Sequence, residues 1–255
     1  MSVITLLSAH GSPGVTTTAL ALAATWPEGR HVLLVEADPF GGVLAARYGL
    51  GDIPGLSTLA AQTRGRFHGA AVDEHTQRLP GGLPVLVGPA SPEEARAVWR
   101  DLSGPFADWA ASLPDLDVIV DRGRLLPQSL HAGSGSTEGL TLVMTRPSVD
   151  QLRPAAIGQA ALAAAGIGAA LLLVGDRPYG PEEVESTMHV PVAGVVAWDP
   201  RTAAVLSGAG VMRDLRRSPL VRSAATLAER LAPAPDMANA AGPELAVAEL
   251  AQEAR

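Results

Sequence analysis

The sequence predicts an α/β fold: a three-layer, doubly wound, mostly parallel sheet with helices on both faces. Three observations predict it. Strand and helix signals alternate from the first residues onward. The strand candidates, such as Val32-Leu33-Leu34-Val35 and Ala170-Leu171-Leu172-Leu173-Val174, are continuous apolar runs, the pattern of strands covered on both faces. Apolar residues make up 47% of the chain, mostly Ala, Val and Leu, while aromatics are only 4%. Such small side chains let helices lie close on a buried sheet.

Taken in order, the first strand is expected at Val3–Ser8, followed by a Gly-rich turn and a helix over about Thr16–Thr25. His31–Glu36 reads as the second strand and Leu83–Val87 as another. Ser91-Pro92-Glu93-Glu94 then supplies an N-cap, a proline at the first helical position and acids in the first turn. The helix it opens is expected to reach about Leu102, with Phe106–Leu113 as a second piece. Asp117–Asp121, Leu140–Thr145 and Ala170–Val174 read as strands, with Pro154 opening the helix between the last two. Pro191–Trp198 is the final strand and Ser218–Leu231 the final helix. With no repeat and no internal linker, residues 1–231 read as one domain. Residues 232–255 read as a flexible acidic tail, in which Pro243–Glu253 has the composition of a short helix.

Composition removes several classes of function. The absence of cysteine excludes disulfides and thiolate metal sites, and the six His show no metal-ligand spacing. A net charge of −7 disfavours a general nucleic-acid or anionic-membrane binder. All 19 basic residues are Arg, so this chain supplies no lysine to any mechanism. Ser2–Leu7 has neither the basic n-region nor the cleavage pattern of a signal peptide, which makes a cytoplasmic location the expectation. Ala155–Gly175 is uncharged and long enough for a membrane span. Its Gln159 and its glycines fit an Ala-rich helix, a turn and a buried strand better.

The chemistry concentrates at the first turn, His10-Gly11-Ser12-Pro13-Gly14-Val15-Thr16-Thr17, between a buried strand and a helix. A Gly-rich strand-to-helix turn directs backbone N–H groups outward at the positive helix end, which is what a phosphate needs. Two acidic segments follow. Glu36-Ala37-Asp38-Pro39 closes the second strand, and Asp117-Val118-Ile119-Val120-Asp121 is a hydrophobic strand ending in an acid.

Together these segments resemble the ParA/MinD family of P-loop proteins, whose loop reads K-G-G-x-G-K-[ST]-T. The match covers both glycine-bearing ends and both threonines, and departs where His10 and Val15 replace the two lysines. The resemblance implies a P-loop NTPase-like fold of the ParA/MinD type and a site for ATP or ADP with Mg2+. It implies cofactor contacts from His10, Gly11, Ser12, Pro13, Gly14, Val15, Thr16 and Thr17. Thr16 and Asp121 would hold the metal, and Asp38 would take the catalytic position facing the γ-phosphate and its attacking water. Thr141–Thr145 with Pro147 looks like the family's strand leading to its Pro-containing loop. Pro191–Pro200 looks like its last strand and base-flanking loop, so Pro200 is a base-contact candidate. Asp176 stands where the family usually has the Asn that reads adenine, which leaves adenine against guanine open.

Losing both lysines has a physical consequence. A charge-assisted phosphate contact is worth about 1.5–3 kcal/mol, roughly ten- to a hundred-fold in affinity. Loss of transition-state charge stabilisation lowers rate by a further factor on the order of 10². The expectation is therefore weak or lost nucleotide binding and weak or absent hydrolysis in a positioning or scaffolding protein. Within the family, this pattern is most similar to the CpaE/TadZ-like branch associated with pilus or secretion machinery. The resemblance also implies a homodimer and a protein partner of unknown identity. DNA contact through Arg213, Arg216, Arg217 and Arg222 is a weaker expectation than a solvated face, and the tail lacks a basic amphipathic membrane anchor. Two alternatives stay open. One is an active partition-type ATPase that uses an Arg in place of the lysine. The other is a dinucleotide-binding oxidoreductase with Glu36 on the ribose, although the turn lacks the first Gly of G-x-G-x-x-G.

Overall fold

The computed structural model describes residues 3–11, 13–63, 69–112, 116–126, 139–211 and 214–232. Strand β1 (Val3–Ser8) leads into helix α1 (Val15–Ala24), and β2 (His31–Glu36) into α2 (Leu44–Tyr48), α3 (Leu56–Thr63) and α4 (Gly69–His75). Short strands β3 (Gln77–Arg78) and β4 (Pro84–Leu86) precede the long α5 (Pro92–Ser112) and β5 (Leu116–Arg124). The second half runs β6 (Leu140–Thr145), α6 (Val149–Ala164), β7 (Ala169–Val174), α7 (Pro181–Met188), β8 (Val192–Val196), α8 (Pro200–Leu206) and α9 (Pro219–Leu231).

Among the described residues the strands form one sheet in the order β3-β4-β2-β5-β1-β6-β7-β8. Every pairing is parallel except β3 with β4. β1 is central, between β5 and β6, so the chain winds outward from it in both directions. The crevice at the carboxyl end of β1 is where such sheets bind ligands.

Strand periodicity assigns the two faces. Ile4 and Leu6 of β1, Leu34 and Ile119 pack in one cluster with Leu20 of α1 and Leu227 of α9. Val3, Val35, Val118 and Val120 form the opposite cluster with Leu59 of α3 and Phe106 of α5. Leu7, Val143 and Leu171 meet Leu162 of α6 and Val184 of α7. Each such burial removes a side chain from water at about 1.5–3 kcal/mol.

Two proline readings are corrected. α6 starts at Val149 behind Ser148, and Pro154 lies inside it. α5 is continuous past Pro105, joining the two expected pieces; Leu113, the end of the second piece, lies outside the described residues. In α5 the stripe Val98, Leu102, Phe106, Trp109, Ala110 repeats at helical spacing and is buried. Its packing outweighs the hydrogen bond that Pro105 forfeits. Ala155–Gly175 divides into the end of α6, a turn and β7, and among the described residues no helix is long and apolar enough to cross a membrane. The tail at 233–255 lies outside the described residues.

Two buried acids brace the sheet. Asp117, fully buried near the amino end of β5, accepts from Trp26 Nε1 at 2.8 Å and from Arg30 Nε and Nη2 at 2.5 and 2.9 Å. Glu36, at the carboxyl end of β2, accepts at Oε1 from the Val43 and Leu44 amides (2.6 and 2.9 Å) and at Oε2 from the Gly88 amide (3.0 Å). That carboxylate ties β2 to the start of α2 and to the segment after β4.

Candidate functional site

The loop between β1 and α1 is shaped by Gly14, the residue before the helix, at φ 100 and ψ 40 in the left-handed region. A side chain there would be strained, so glycine is required by the turn. Among the described residues no side chain caps α1, its first turn carries no acid, and the first main-chain bond into it is Thr18 N to Gly14 O at 2.9 Å. The amides of Val15, Thr16 and Thr17 therefore stand at the positive end of the helix with no helical carbonyl to bond.

The other loop residues divide by environment. His10 is exposed, and a Cβ on Gly11 would lie 4.0 Å from Gln151 Nε2, so the start of α6 borders the loop. Pro13 is buried, Thr16 and Thr17 are half-buried, and Ser12 lies outside the described residues. Val15 is only 6% exposed and belongs to the apolar cluster beneath α1. The position that carries a lysine in the ParA/MinD pattern is thus part of the core. Asp176 is exposed after β7, and Pro200 is the exposed first residue of α8.

Three acids meet at the ends of β2 and β5. Asp121 pairs in register with Glu36 and lies on the same face as α1. Its Oδ1 accepts from the Gly123 amide at 2.9 Å, while Oδ2 is buried without a hydrogen-bond partner. Burial pushes the Asp121 carboxyl up to about 7; the nearby Thr16 hydroxyl and the Gly123 amide pull it down, and Glu36 and Asp38 push it further up. Glu36 is also raised, by burial, against the pull of its three amide donors. Asp38 is half-buried, accepts from the Phe40 amide at 2.8 Å, and is raised by burial while Arg124 and Arg122 oppose the shift. Gly123 (φ 51) lies so close that a Cβ there would fall 1.9 Å from Asp38 Oδ2.

The structure adds arginines that the sequence reading had not singled out. Arg122 and Arg124 end β5, and Arg146 follows β6, so the two strands flanking β1 both deliver cations to its carboxyl end. Each guanidinium lies over an aromatic ring: Arg122 at 4.8 Å from the Trp99 centroid, Arg124 at 5.5 Å from Phe40 and Arg146 at 3.4 Å from Trp198. Among the described residues none of the three forms a salt bridge. The available signal was the run Asp121-Arg122-Gly123-Arg124 directly after an apolar strand. The other arginine cluster is different in kind. Arg213 lies outside the described residues, and Arg217 pairs with Asp214 at 3.0 Å with both side chains well exposed. Arg216 and Arg222 line an open cleft with Glu28 and Glu229 beside the amino end of β2.

The donor set suits a hard cation and a phosphate. An unpartnered carboxylate oxygen beside a threonine hydroxyl at an uncapped helix start is oxygen-only ligation, the kind Mg2+ takes. Among the described residues no group of three His, Asp or Glu is arranged to hold a metal ion by itself. A cation here would draw its remaining ligands from phosphate and water.

No family model and no curated protein matches the chain. Solved structures do. The cell division ATPase MinD of Pyrococcus furiosus is 23% identical, with a TM-score of 0.68 over 90% of this chain and 97% of that one. The septum site-determining protein MinD of Pyrococcus horikoshii OT3, complexed with Mg-ADP, is 22% identical, with a TM-score of 0.64 over 89% of this chain and 94% of that one. A ParA family ATPase from Chlorobium tepidum TLS is 19% identical, with a TM-score of 0.69 over 89% of this chain and 98% of that one. At these identities the likeness establishes the fold, which is that of the MinD and ParA ATPases.

Proposed function

We propose that this chain is a ParA/MinD-like positioning or scaffolding protein that binds ATP or ADP with Mg2+ weakly and hydrolyses ATP slowly or not at all. One observation carries this reading. Gly14 is left-handed, α1 starts without a side-chain cap among the described residues and Asp121 Oδ2 is unpartnered, features that fit a backbone phosphate cradle, while the loop's cationic position is a buried valine. A fold shared with a cell division ATPase and a septum site-determining protein supports the positioning role.

In this reading the amides of Val15, Thr16 and Thr17 hold phosphate oxygens, and Thr16 and Asp121 hold the cation. Magnesium, when bound, neutralises charge on the phosphate oxygens. Asp38, fixed by the Phe40 amide and by Gly123, is placed to orient a water. No lysine answers the charge that develops during hydrolysis, so that step is slow. The His10 position, where the family has its signature lysine, is too short for the same cross-dimer contact. Phe40, Val43, Val149 and Trp198 are exposed apolar residues in the segments following β2, β6 and β8. With the arginines among them, they give a homodimer an interface that does not depend on nucleotide. The cargo falls within the pilus or secretion, septum and chromosome classes, reached through a protein partner.

The oxidoreductase alternative loses its key residue, because Glu36 is 1% exposed and both of its oxygens already bond backbone amides. DNA binding gains little from an arginine cluster interleaved with Asp214, Glu28 and Glu229. The test is phosphate release by purified protein with Mg-ATP. The expected turnover is at least a hundred-fold below that of a lysine-bearing ParA protein. A comparable rate that survives repurification and disappears in Asp38→Ala would overturn the reading.

A further inference from the structure

The missing lysine leaves an electrostatic question. A Mg-nucleotide brings net negative charge to a site whose neighbours include Asp38 and Asp121, so some cation must answer it. The loop offers none but His10. Three arginines lie at or just past the ends of the strands flanking β1, and their environments differ.

Arg146 lies flat on Trp198 at 3.4 Å, on the β6–β8 side of the crevice. Arg122 follows Val118 and Val120 in the strand alternation and is committed to Trp99 of α5, on the sheet face opposite α1. Arg124 is exposed, more loosely held at 5.5 Å from Phe40, and felt by Asp38. The left-handed Gly123 breaks the alternation of β5 between the two. Arg124 then pairs in register with Ser8, the last residue of β1. Its backbone is clamped there, since Ser8 Oγ donates to Gly123 O at 3.3 Å and the Leu125 amide donates to Ser8 O at 2.8 Å. Arg124 is therefore anchored at the root of the loop, two positions in register from His10, with no salt bridge among the described residues.

We propose that Arg124 is the phosphate-binding cation of this site, doing from the end of β5 what the loop lysine does in the ParA/MinD pattern. The inference rests on the nucleotide-site reading above and names the residue that gives the site its affinity. Guanidinium suits the task because its planar fork can take two phosphate oxygens at once. Arg122 then acts as a positioning residue, stacked on Trp99 and holding Asp38 by charge.

The experiment is calorimetric titration of the full chain with Mg-tripolyphosphate and with Mg-ATP. The proteins are the wild type, Arg124→Gln, Arg124→Lys and, as a control remote from the site, Arg217→Gln. Arg124→Gln is expected to weaken both ligands ten- to a hundred-fold, the size of one charge-assisted contact. Arg124→Lys should recover part of that loss as a point charge, and Arg217→Gln should change neither. Unliganded melting temperatures of Arg124→Gln and wild type should agree, since the side chain is exposed. If Arg124→Gln binds both ligands as tightly as wild type, the inference fails and the nucleotide reading stands. If wild type binds tripolyphosphate through Arg124 but not ATP, the inference stands and the nucleotide reading fails. Binding of neither ligand to wild type overturns both.

Discussion

Asp121 is a residue whose burial is costly to the fold, and under the proposed function the same carboxylate would hold the cation. Its carboxyl is pushed from 3.8 up to about 7, chiefly by burial. Between those values the native state holds a proton that the unfolded chain has released. Stability is therefore fully present below about pH 4 and is lost as pH rises toward 7. Asp121→Asn removes the penalty. In chelator-treated protein it should be the more stable form at pH 8, by on the order of 4 kcal/mol, with the difference vanishing near pH 4. Thermal unfolding with EDTA at pH 4, 6 and 8 reads this directly. With Mg-ATP the proposed function predicts that the order reverses, because the carboxylate that burdens the fold would then be a cation ligand. A variant no more stable than wild type at pH 8 would mean that Asp121 is already satisfied without metal.

At the scale of elements, Glu36 is the joint between β2, α2 and the segment after β4. Gly88 and Gly42 crowd against it, leaving no room for a different anchor. Glu36→Ala strands three backbone amides, and breaking a buried charged contact of this kind costs about 3–5 kcal/mol. Glu36→Gln keeps one carbonyl oxygen for the Val43 and Leu44 amides but presents a donor where Gly88 needs an acceptor, at about 1–3 kcal/mol. Urea midpoints should fall in the order wild type, Gln, Ala. Equal midpoints would show that the amides find water instead. Asp38 sits two residues beyond this joint, so the Ala variant should also loosen nucleotide binding, read in the same calorimeter.

For the whole molecule, the sheet order decides what lies where. β5 and β6 flank β1, so Arg124 at the end of β5, Arg146 after β6 and the exposed Phe40, Val149 and Trp198 lie toward the carboxyl edge of the sheet. Under the proposed function, an interface made of these groups would form without nucleotide. The expected result is a homodimer with the same mass by light scattering with and without Mg-ATP. A monomer that dimerises only on adding ATP would restore the nucleotide switch and remove the scaffold reading.

The sequence by itself determined the fold class and most of the sheet. β1, β2 and β6 have the bounds their apolar runs predict, because strands buried on both faces need uninterrupted hydrophobic residues. The Gly-rich turn after β1, the acids at the end of β2 and within β5, and the absence of lysine were also legible, since each is a matter of residue identity and short spacing. Short helices such as α2, α7 and α8 carried too little periodicity to be singled out, and Pro105 and Pro154 marked boundaries that helix packing overrode. Only the tertiary structure decided the electrostatics of the site. Val15 faces the core, both oxygens of Glu36 are taken by amides, and Arg124 and Arg146 come to the carboxyl edge of β1 from strands distant in sequence. The physical reason is that burial and charge proximity depend on which strands lie side by side, and local sequence does not encode the crossover order that puts β5 and β6 beside β1.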